Sequence, residues 1–312
     1  MPLRLTPLAD SRFDEWLAAT RNRLIRLGQD SGMRPGEDAV QHADAFLAEL
    51  LPAGLATASA RILTIDDGGT EIGVLWLGLG HTRLFVVNLS FSVEPTDAQL
   101  QDLFDQVRDI ARAENAAALT VSLFWQDAAG WGFVAGHGFE PSSIQMVLDP
   151  LPDRHDPSPL TLEPMSEERF ARFIAASEAD FAQELAASGR MSLEDATTES
   201  RRLVAKELPD GLATADQLLY VALVDGAEVG ILWIAIRRRG GRDHAFILNV
   251  EVDAAHHRKG YGRAIMHAAE EAMRKLEVSS IGLHVFGANH GAVALYEQLG
   301  YRRLEELLVL PL

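Results

Sequence analysis

The sequence of 312 residues contains no cysteine. A disulfide framework, a thiolate metal site and a cysteine nucleophile are therefore excluded. It also lacks a run of about 18 apolar residues, so no membrane-spanning helix is predicted. Its first residues, MPLRLTPLADSRFDEW, have no apolar core of the signal-peptide type. We therefore expect a cytoplasmic protein that does not associate with membranes.

Basic residues are scarce relative to acidic ones. The chain has 28 Lys and Arg against 45 Asp and Glu, for a formal net charge of −17. Because non-specific nucleic-acid binding relies on Lys and Arg to neutralise phosphates, we expect no nucleic-acid partner. An acidic surface favours solubility and also suits a cationic substrate such as an amine. His256, His257 and His290 lack a metal-ligating spacing with carboxylates, and no metal site is predicted.

The two halves of the chain repeat each other in the same order. LLPAGLATA, ending at Ala58, matches ELPDGLATA, ending at Ala215; EIGVLW from Glu71 matches EVGILW from Glu228; LRLTPLADSRF from Leu3 matches LTLEPMSEERF from Leu160; and FVVNLSF from Phe85 matches FILNVEV from Phe246. The offset is 157 at the first pair of segments (160 − 3) and 161 at the last (246 − 85). So long a period indicates duplication of a whole domain.

A proline-rich segment separates the two repeats. DPLPDRHDPSPL, residues 149–160, contains four prolines. Proline interrupts helices and central strands, so this segment is predicted to be a semi-rigid linker with the boundary near residue 155. We predict one domain over residues 1–152 and a second over residues 153–312.

Local signals in the second half predict the order strand, two helices, three strands, helix, strand, helix, strand. Ser192 is a helix N-cap candidate, Asp225-Gly226 is typical of a tight hairpin, and Gly300 is placed to end a helix. The fold class is therefore α/β (α+β).

The segment from Phe246 to Met273 is predicted to be a buried strand, a basic glycine-bearing turn and a long helix that begins at the glycines. We call residues His257 to Gly262 the phosphate turn. A turn of this kind points backbone N–H groups and the positive end of a helix dipole at one place. The sequence therefore predicts a site for a phosphate group.

The phosphate turn is followed by N-x-x-A-x-x-L-Y-E-x-L-G-Y, from Asn289 to Tyr301. Together the two motifs resemble the GNAT family of acyl-CoA N-acyltransferases. They cover residues 160–312, and the internal repeat extends the resemblance to the first half. The resemblance implies two tandem GNAT folds, each a mixed, mostly antiparallel sheet flanked by helices, in an arrangement similar to that of mycothiol synthase. It also implies acetyl-CoA as acyl donor and a primary amine of a small molecule or peptide as acceptor.

The resemblance assigns residues that would bind acetyl-CoA. These are Val250 and Val252 on the strand, His257, Arg258, Lys259, Gly260, Tyr261, Gly262 and Arg263 at the turn, and Asn289. Glycine allows the backbone to approach the pyrophosphate closely. His257 departs from the family, which usually has Arg or Gln at that position.

Two residues are candidates for catalysis. Glu251 shares a strand face with Asn249 and is the candidate general base; the alternative is a solvated or salt-bridged strand residue. Tyr296 matches the family tyrosine that hydrogen-bonds the CoA sulfur and protonates the thiolate; the alternative is an aromatic residue of the core. Asn289 could simply cap its helix. His284 could line the acceptor site or be a hydrogen-bonded structural histidine.

The first half lacks the corresponding residues. Gln99 and Gln101 stand at the two glycine positions, Ser90 at that of Glu251 and Val134 at that of Tyr296. We expect the first domain to be degenerate, to pack on the catalytic domain and to shape the acceptor pocket. An internal pseudo-dimer of this kind predicts a monomer or a weak homodimer. Three alternatives stay open: a catalytically silent CoA-binding regulatory protein, a mycothiol-synthase-like enzyme, and a ligase that uses aminoacyl-tRNA.

Overall fold

The computed structural model describes residues 2–80, 82–154, 159–187 and 192–312. The first half contains β1 (Arg4–Pro7), α1 (Phe13–Asp30), α2 (Glu37–Leu50), β2 (Ala60–Asp67), β3 (Thr70–Leu79), β4 (Arg83–Phe91), α3 (Asp97–Ala113), β5 (Ala118–Phe124), α4 (Ala128–Val134) and β6 (Glu140–Leu148). The second contains β7 (Leu160–Pro164), α5 (Glu167–Ala187), α6 (Leu193–Glu207), β8 (Gln217–Val224), β9 (Ala227–Arg239), β10 (Arg242–Val252), α7 (Tyr261–Lys275), β11 (Ile281–Phe286), α8 (His290–Gln298) and β12 (Arg302–Pro311).

The order of elements is the same in both halves, as the repeat predicted. The likeness extends to details of the backbone. Gly54 and Gly211 both adopt positive φ angles, 56° and 57°. A Cβ at either position would lie 3.3–3.4 Å from a ring carbon of the equivalent phenylalanine, Phe13 or Phe170. The duplication is therefore preserved in side-chain packing as well as in sequence.

The local signals fall where they were predicted. The Ser192 side chain accepts a hydrogen bond from the backbone N–H of Asp195 and caps α6. Asp225 and Gly226 both have positive φ, which a two-residue hairpin between β8 and β9 requires. Gly300, with φ 92°, follows α8. Each of these signals depends only on neighbouring residues.

Contacts divide the chain into two compact units. The first consists of Met1–Met146 with His284–Leu312, and the second of Val147–Leu283. The predicted division into residues 1–152 and 153–312 refers to the two copies of the repeat and stays a prediction. Its boundary near residue 155 lies outside the described residues. No helix among those described combines the length and apolarity that a membrane span needs.

The sheet of the first unit has the strand order β1-β2-β3-β4-β5-β12-β6. β4 and β5 run parallel, whereas β1–β2, β2–β3, β3–β4 and β5–β12 are antiparallel. Leu75, Leu103 and Phe133 lie in its main core, and Leu308 of β12 belongs to the same cluster. A second cluster is built on Trp76, which Trp16 of α1 meets edge-on with 5.6 Å between ring centroids.

The sheet of the second unit has the order β7-β8-β9-β10-β11. Only β10–β11 is parallel among these neighbours. Phe173 of α5 packs edge-on against Trp233 of β9, with 5.8 Å between ring centroids, and fixes the helix to the sheet. The prediction of an α/β fold with mixed, mostly antiparallel sheets is confirmed.

A one-residue bulge interrupts the equivalent strand of each unit. Opposite β3, Trp76 pairs with Asn88 while Leu77 pairs with Val86, so Val87 is the extra residue. Opposite β9, Leu248 is extra in the same way. Pairing with the parallel neighbour ends one residue before each bulge, at Val86 with Val121 and at Ile247 with Leu283. Because a bulge bends its strand, it explains why pairing stops there.

The start of the linker is fixed to α7 within the second unit. Arg154 forms an ion pair with Glu270, with 2.8 Å between Nε and Oε2, and Glu270 is fully buried. Arg274 donates to the backbone oxygen of Pro152 at 2.5 Å. A buried carboxylate without its cation costs several kcal/mol, so this pair ties residues 152–154 to the helix that carries the phosphate turn.

His244 of β10 makes the stability of the second unit depend on pH. It is buried, and Arg239 lies 3.3 Å from its Nε2. Because a guanidinium only donates, Nε2 must accept and the ring proton lies on Nδ1, which faces Ser280 at 2.8 Å. Burial, with the charges of Arg239 and Arg237, lowers the pKa of His244 to about 4.

We predict that the unfolding free energy of the wild type falls by about 3 kcal/mol more than that of His244→Gln as pH drops from 6.5 to 4. The unfolded histidine takes up a proton over this range, whereas the folded one stays mostly neutral until the pH approaches 4. Denaturant unfolding at a series of pH values measures the difference. Parallel curves for the two proteins would contradict the assignment.

Candidate functional site

Hydrogen bonds fix the segment that connects β10 to the phosphate turn, one at its start and one at its end. The N–H of Asp253, just after β10, donates to the oxygen of Val229 at 3.0 Å. A short 3-10 helix over Ala254–His256 follows. The side chain of His257 then reaches back, with Nε2 2.7 Å from the oxygen of Val252. The residue that departs from the family motif therefore closes the turn onto the end of its own strand.

Two residues of the turn adopt left-handed backbone conformations. Arg258 has φ 60° and Gly260 has φ 84°. No atom lies within 4 Å of a Cβ built at Gly260. Glycine is therefore favoured at this position by the φ angle and by access to the backbone, rather than by a lack of space for a methyl group.

The N-terminus of α7 is open to an anion. Gly260 is the N-cap, no side chain caps the helix, and the first turn contains no acidic residue. The first N–H groups of a helix have no partner within it, and the helix dipole adds a partial positive charge there. The exposed side chains of Arg258 and Lys259 add full positive charges beside them. These features fit a phosphate group, as the sequence predicted.

The N-terminus of α3, the equivalent helix of the first unit, is capped by side chains. Thr96 and Gln99 form a capping box: Thr96 Oγ1 accepts from the N–H of Gln99 at 3.3 Å, and Gln99 Oε1 accepts from the N–H of Thr96 at 2.8 Å. Asp97 adds a negative charge in the first turn. The T-x-x-Q pattern of a capping box is visible in the sequence but was not recognised there.

Glu251 lies on β10 opposite Ile231 of β9 and its side chain is exposed. Val250 and Val252, on either side of it, are half-buried, and all three belong to the second unit with the phosphate turn. The backbone of Glu251 comes very close to β9. A Cβ on Gly230 would lie 2.2 Å from the Glu251 oxygen, and one on Gly73 would lie 2.4 Å from that of Ser90. The glycine shared by EIGVLW and EVGILW was the signal for this contact.

Asn289 and Tyr296 belong to the first unit, on α8. The side chain of Asn289 accepts from the N–H of Ala292 at 3.1 Å, so it caps the helix. Asp127 caps α4 in the same way through Gly130. A capping role does not exclude contact with a ligand, which stays a prediction.

Tyr296 is buried, and its ring centroid lies 5.8 Å from that of Tyr301. Burial raises the pKa of the Tyr296 hydroxyl to about 12. The group is therefore a proton-bearing donor at any physiological pH. His284, in the same unit, is exposed on β11, with its ring centroid 5.7 Å from that of Phe286. In the described part of the chain, no three His, Asp or Glu side chains are grouped as metal ligands would be.

Comparison with known proteins identifies a matching family and relatives whose alignments cover about half of the chain. The profile of the acetyltransferase (GNAT) family matches residues 179–301. The uncharacterized N-acetyltransferase YdgE of Bacillus subtilis (strain 168) is 30% identical over 142 residues, which cover 45% of this chain and 90% of that protein. Mycothiol acetyltransferase of Propionibacterium freudenreichii subsp. shermanii is 31% identical over 159 residues, which cover 51% of this chain and 48% of that protein.

Solved structures that match nearly the whole chain include a GCN5-related N-acetyltransferase from Sphaerobacter thermophilus. It is 14% identical, with 98% of this chain and 94% of that one covered and a TM-score of 0.50. At this identity the likeness concerns the fold alone. It extends the agreement in fold to the first half.

We predict that Gly260→Ala weakens binding of coenzyme A about tenfold, because an alanine at φ 84° costs about 1–2 kcal/mol and shifts the N–H groups of the turn. Isothermal titration measures the dissociation constant. Gly241→Ala is the matched control, since Gly241 has φ 76° and equally open surroundings in the β9–β10 hairpin. An unchanged dissociation constant in Gly260→Ala would refute a role for this turn.

Proposed function

This chain belongs to the acetyltransferase (GNAT) family, and from that premise we propose that it transfers the acetyl group of acetyl-CoA to a primary amine of a small molecule or a peptide. The observation that carries the proposal is the open N-terminus of α7. There an uncapped helix, Gly260 at φ 84° and two exposed basic side chains meet at one turn. We assign the CoA pyrophosphate to this turn.

We place the active site in the second copy of the repeat. The helix that should receive a phosphate in the first copy is capped by its own side chains, Thr96 and Gln99, and begins with Asp97. A phosphate would have to displace these hydrogen bonds and approach a carboxylate. The first copy therefore offers a much weaker anion site than the second.

Tyr296 is proposed as the hydrogen-bond donor to the sulfur of the leaving group. A thiol has a reference pKa near 8.5, whereas that of Tyr296 is raised to about 12. Complete proton transfer from Tyr296 to the thiolate would thus be uphill by about 3.5 pKa units, or about 5 kcal/mol. Donation of a hydrogen bond to the developing charge has no such cost, so we favour it over full proton transfer.

Glu251 is proposed as the general base. An amine attacks a thioester only as the neutral species, and the proton it loses needs an acceptor. The exposed carboxylate of Glu251 could receive that proton through water. Val250 and Val252, beside it on β10, are proposed to offer backbone groups to the pantetheine arm.

The acceptor amine is assigned only as a class. Similarity to mycothiol acetyltransferase makes a mycothiol-synthase-like activity the alternative for the acceptor, although the match covers 48% of that protein. A CoA-binding regulatory protein without turnover is the alternative to catalysis. A monomer or weak homodimer and a cytoplasmic location stay predictions from the sequence.

Release of free CoA thiol, followed with a panel of primary amines, tests the proposal. We expect acetyl transfer to at least one amine, and a fall in kcat of at least about tenfold in Tyr296→Phe with little change in acetyl-CoA affinity. Tyr220→Phe, which removes the hydroxyl of a half-buried tyrosine on β8, is the control. Undiminished acetyl-CoA binding with no transfer to any amine would instead favour the regulatory alternative.

Glu251→Gln tests the base separately. The variant keeps the size and hydrogen-bonding capacity of the side chain and removes its ability to take a proton at neutral pH. We predict a loss of about 100-fold in kcat at pH 7 that shrinks as pH rises, because a larger fraction of the amine is then already neutral. Glu163→Gln, at an exposed position of β7, is the control. A pH–rate profile that is identical to the wild type would remove Glu251 from the mechanism.

A further inference from the structure

A pocket of about 100 Å³ lies in the first unit, beyond the point where the pairing between β4 and β5 ends. It is lined by Val86–Leu89 of β4 and Val121–Phe124 of β5, and α1, α2 and α4 close it from the helical side. We call it the wedge pocket. Leu24, Phe46, Leu123 and Phe133 make most of its wall apolar. It therefore suits a small aliphatic group.

Asn88 lines this pocket and carries a donor that has no partner. The residue is 6% exposed, and Arg23 Nε donates to its Oδ1 at 3.1 Å. Because Arg23 can only donate, the amide group that faces it must be the oxygen. Within the described residues the buried Nδ2 has no hydrogen-bond partner. Leaving such a group unpaired is unfavourable, and a ligand oxygen would satisfy it.

Arg34 supplies a positive charge to the same pocket. The side chain is half-buried and, among the described residues, no carboxylate comes within ion-pair distance of it; its nearest polar contact is Met33 Sδ, 3.4 Å from Nη1. Burial lowers the pKa of Arg34, and the negative charge of Glu305 partly opposes this. Arg34 and Asn88 together therefore provide donors for a carboxylate.

Glu305 supplies the opposite charge. It comes from β12, lines the wedge pocket, and accepts a hydrogen bond from the Ser122 hydroxyl at 2.5 Å. A carboxylate has room for about four hydrogen bonds, so Glu305 can accept more. Asp127, the other acid in the lining, is bound by Arg23 at 2.8 Å. Arg34 and Glu305 are thus the charged side chains of the lining that remain available to a ligand.

We propose that the wedge pocket binds a small zwitterionic amino acid with an aliphatic side chain, represented by L-valine. Arg34 and Asn88 Nδ2 receive its carboxylate, Glu305 receives its ammonium group, and the apolar wall receives its side chain. A cavity of about 150 Å³ holds a benzene ring, so about 100 Å³ accommodates three or four carbons. The carboxylate and ammonium groups then lie beside Arg34, Asn88 and Glu305, and the side chain alone occupies the apolar part of the pocket.

Both charges of the ligand are needed for this fit. A simple carboxylate would meet Glu305 without compensation, and a simple amine would meet Arg34 in the same way. Like charges brought together in a partly buried site oppose binding. All residues that line the wedge pocket belong to the first unit, so its ligand can be tested independently of the proposed acetyl transfer.

Isothermal titration of the full chain with L-valine, isovalerate and isobutylamine tests the inference. Isovalerate lacks the ammonium group and isobutylamine lacks the carboxylate. We expect L-valine to bind at least about tenfold more tightly than either analogue, the equivalent of about 1.4 kcal/mol for each missing pair of charges. L-tryptophan, which the volume excludes, should not bind.

Two variants locate the binding. Asn88→Asp keeps an oxygen for Arg23 but replaces the unpaired donor with a negative charge, and Arg34→Met removes the cation at similar length; each should weaken L-valine at least about tenfold. Asn22→Asp and Arg26→Met, at exposed positions of α1 outside the pocket lining, are the matched controls and should bind normally. Melting temperatures confirm that each variant folds.

Three results would overturn the proposal. One is the absence of L-valine binding at tens of millimolar. Another is equal binding of isovalerate, which would indicate a plain carboxylate site. The third is undiminished binding in folded Asn88→Asp and Arg34→Met, which would place the amino acid elsewhere, including the acceptor site of the enzyme.

Discussion

The bulge in the fourth strand of each repeat is the constraint on which the rest of the structure depends. One extra residue, Val87 in β4 and Leu248 in β10, bends the strand just after its last pair with the parallel neighbour. Without it, parallel pairing could continue and the strand edge beyond would be occupied. In the first unit the resulting gap is the wedge pocket. In the second, the strand beyond the bulge carries Glu251 and leads directly into the phosphate turn.

Both copies of the repeat have the bulged strand, but they differ at the N-terminus of the helix that follows it, α3 in the first copy and α7 in the second. In the second copy a glycine at φ 84° opens the helix N-terminus to an anion. In the first copy the side chains of Thr96 and Gln99 form a capping box at the start of the equivalent helix. A capping box contributes about 1 kcal/mol to helix stability, so loss of the ligand site brought a more stable helix start. This exchange explains how a copy that no longer needs a phosphate could remain well folded.

The features that the sequence predicted are those with local causes. The hairpin at Asp225-Gly226, the cap at Ser192, the glycine turn and the order of elements each depend on a few adjacent residues. The repeat supported the order of elements, because the matching segments occur in the same order in both halves. Function followed from two motifs whose residues are also adjacent in sequence.

The features that were missed depend on pairing between distant strands. The bulges at Val87 and Leu248 appear only when the register against β3 and β9 is known. The need for Gly230 arises because the Glu251 oxygen would approach its Cβ to 2.2 Å, a contact between two strands. The pair Arg154–Glu270 joins residues 116 positions apart. The wedge pocket is formed by residues of β4, β5, β12 and three helices. The shared glycine of EIGVLW and EVGILW is a sequence trace of the Gly230 contact, but no local pattern encodes the bulges, the ion pair or the pocket.

Hydrogen–deuterium exchange with and without coenzyme A shows which copy of the repeat binds the acyl donor. We expect slowed exchange in peptides that contain residues 257–264, where the N–H groups of α7 would meet the pyrophosphate. Peptides that contain residues 94–101 should not change. Protection of the first-copy segment, or its appearance in both segments, would contradict the claim that a single phosphate turn serves the acyl donor.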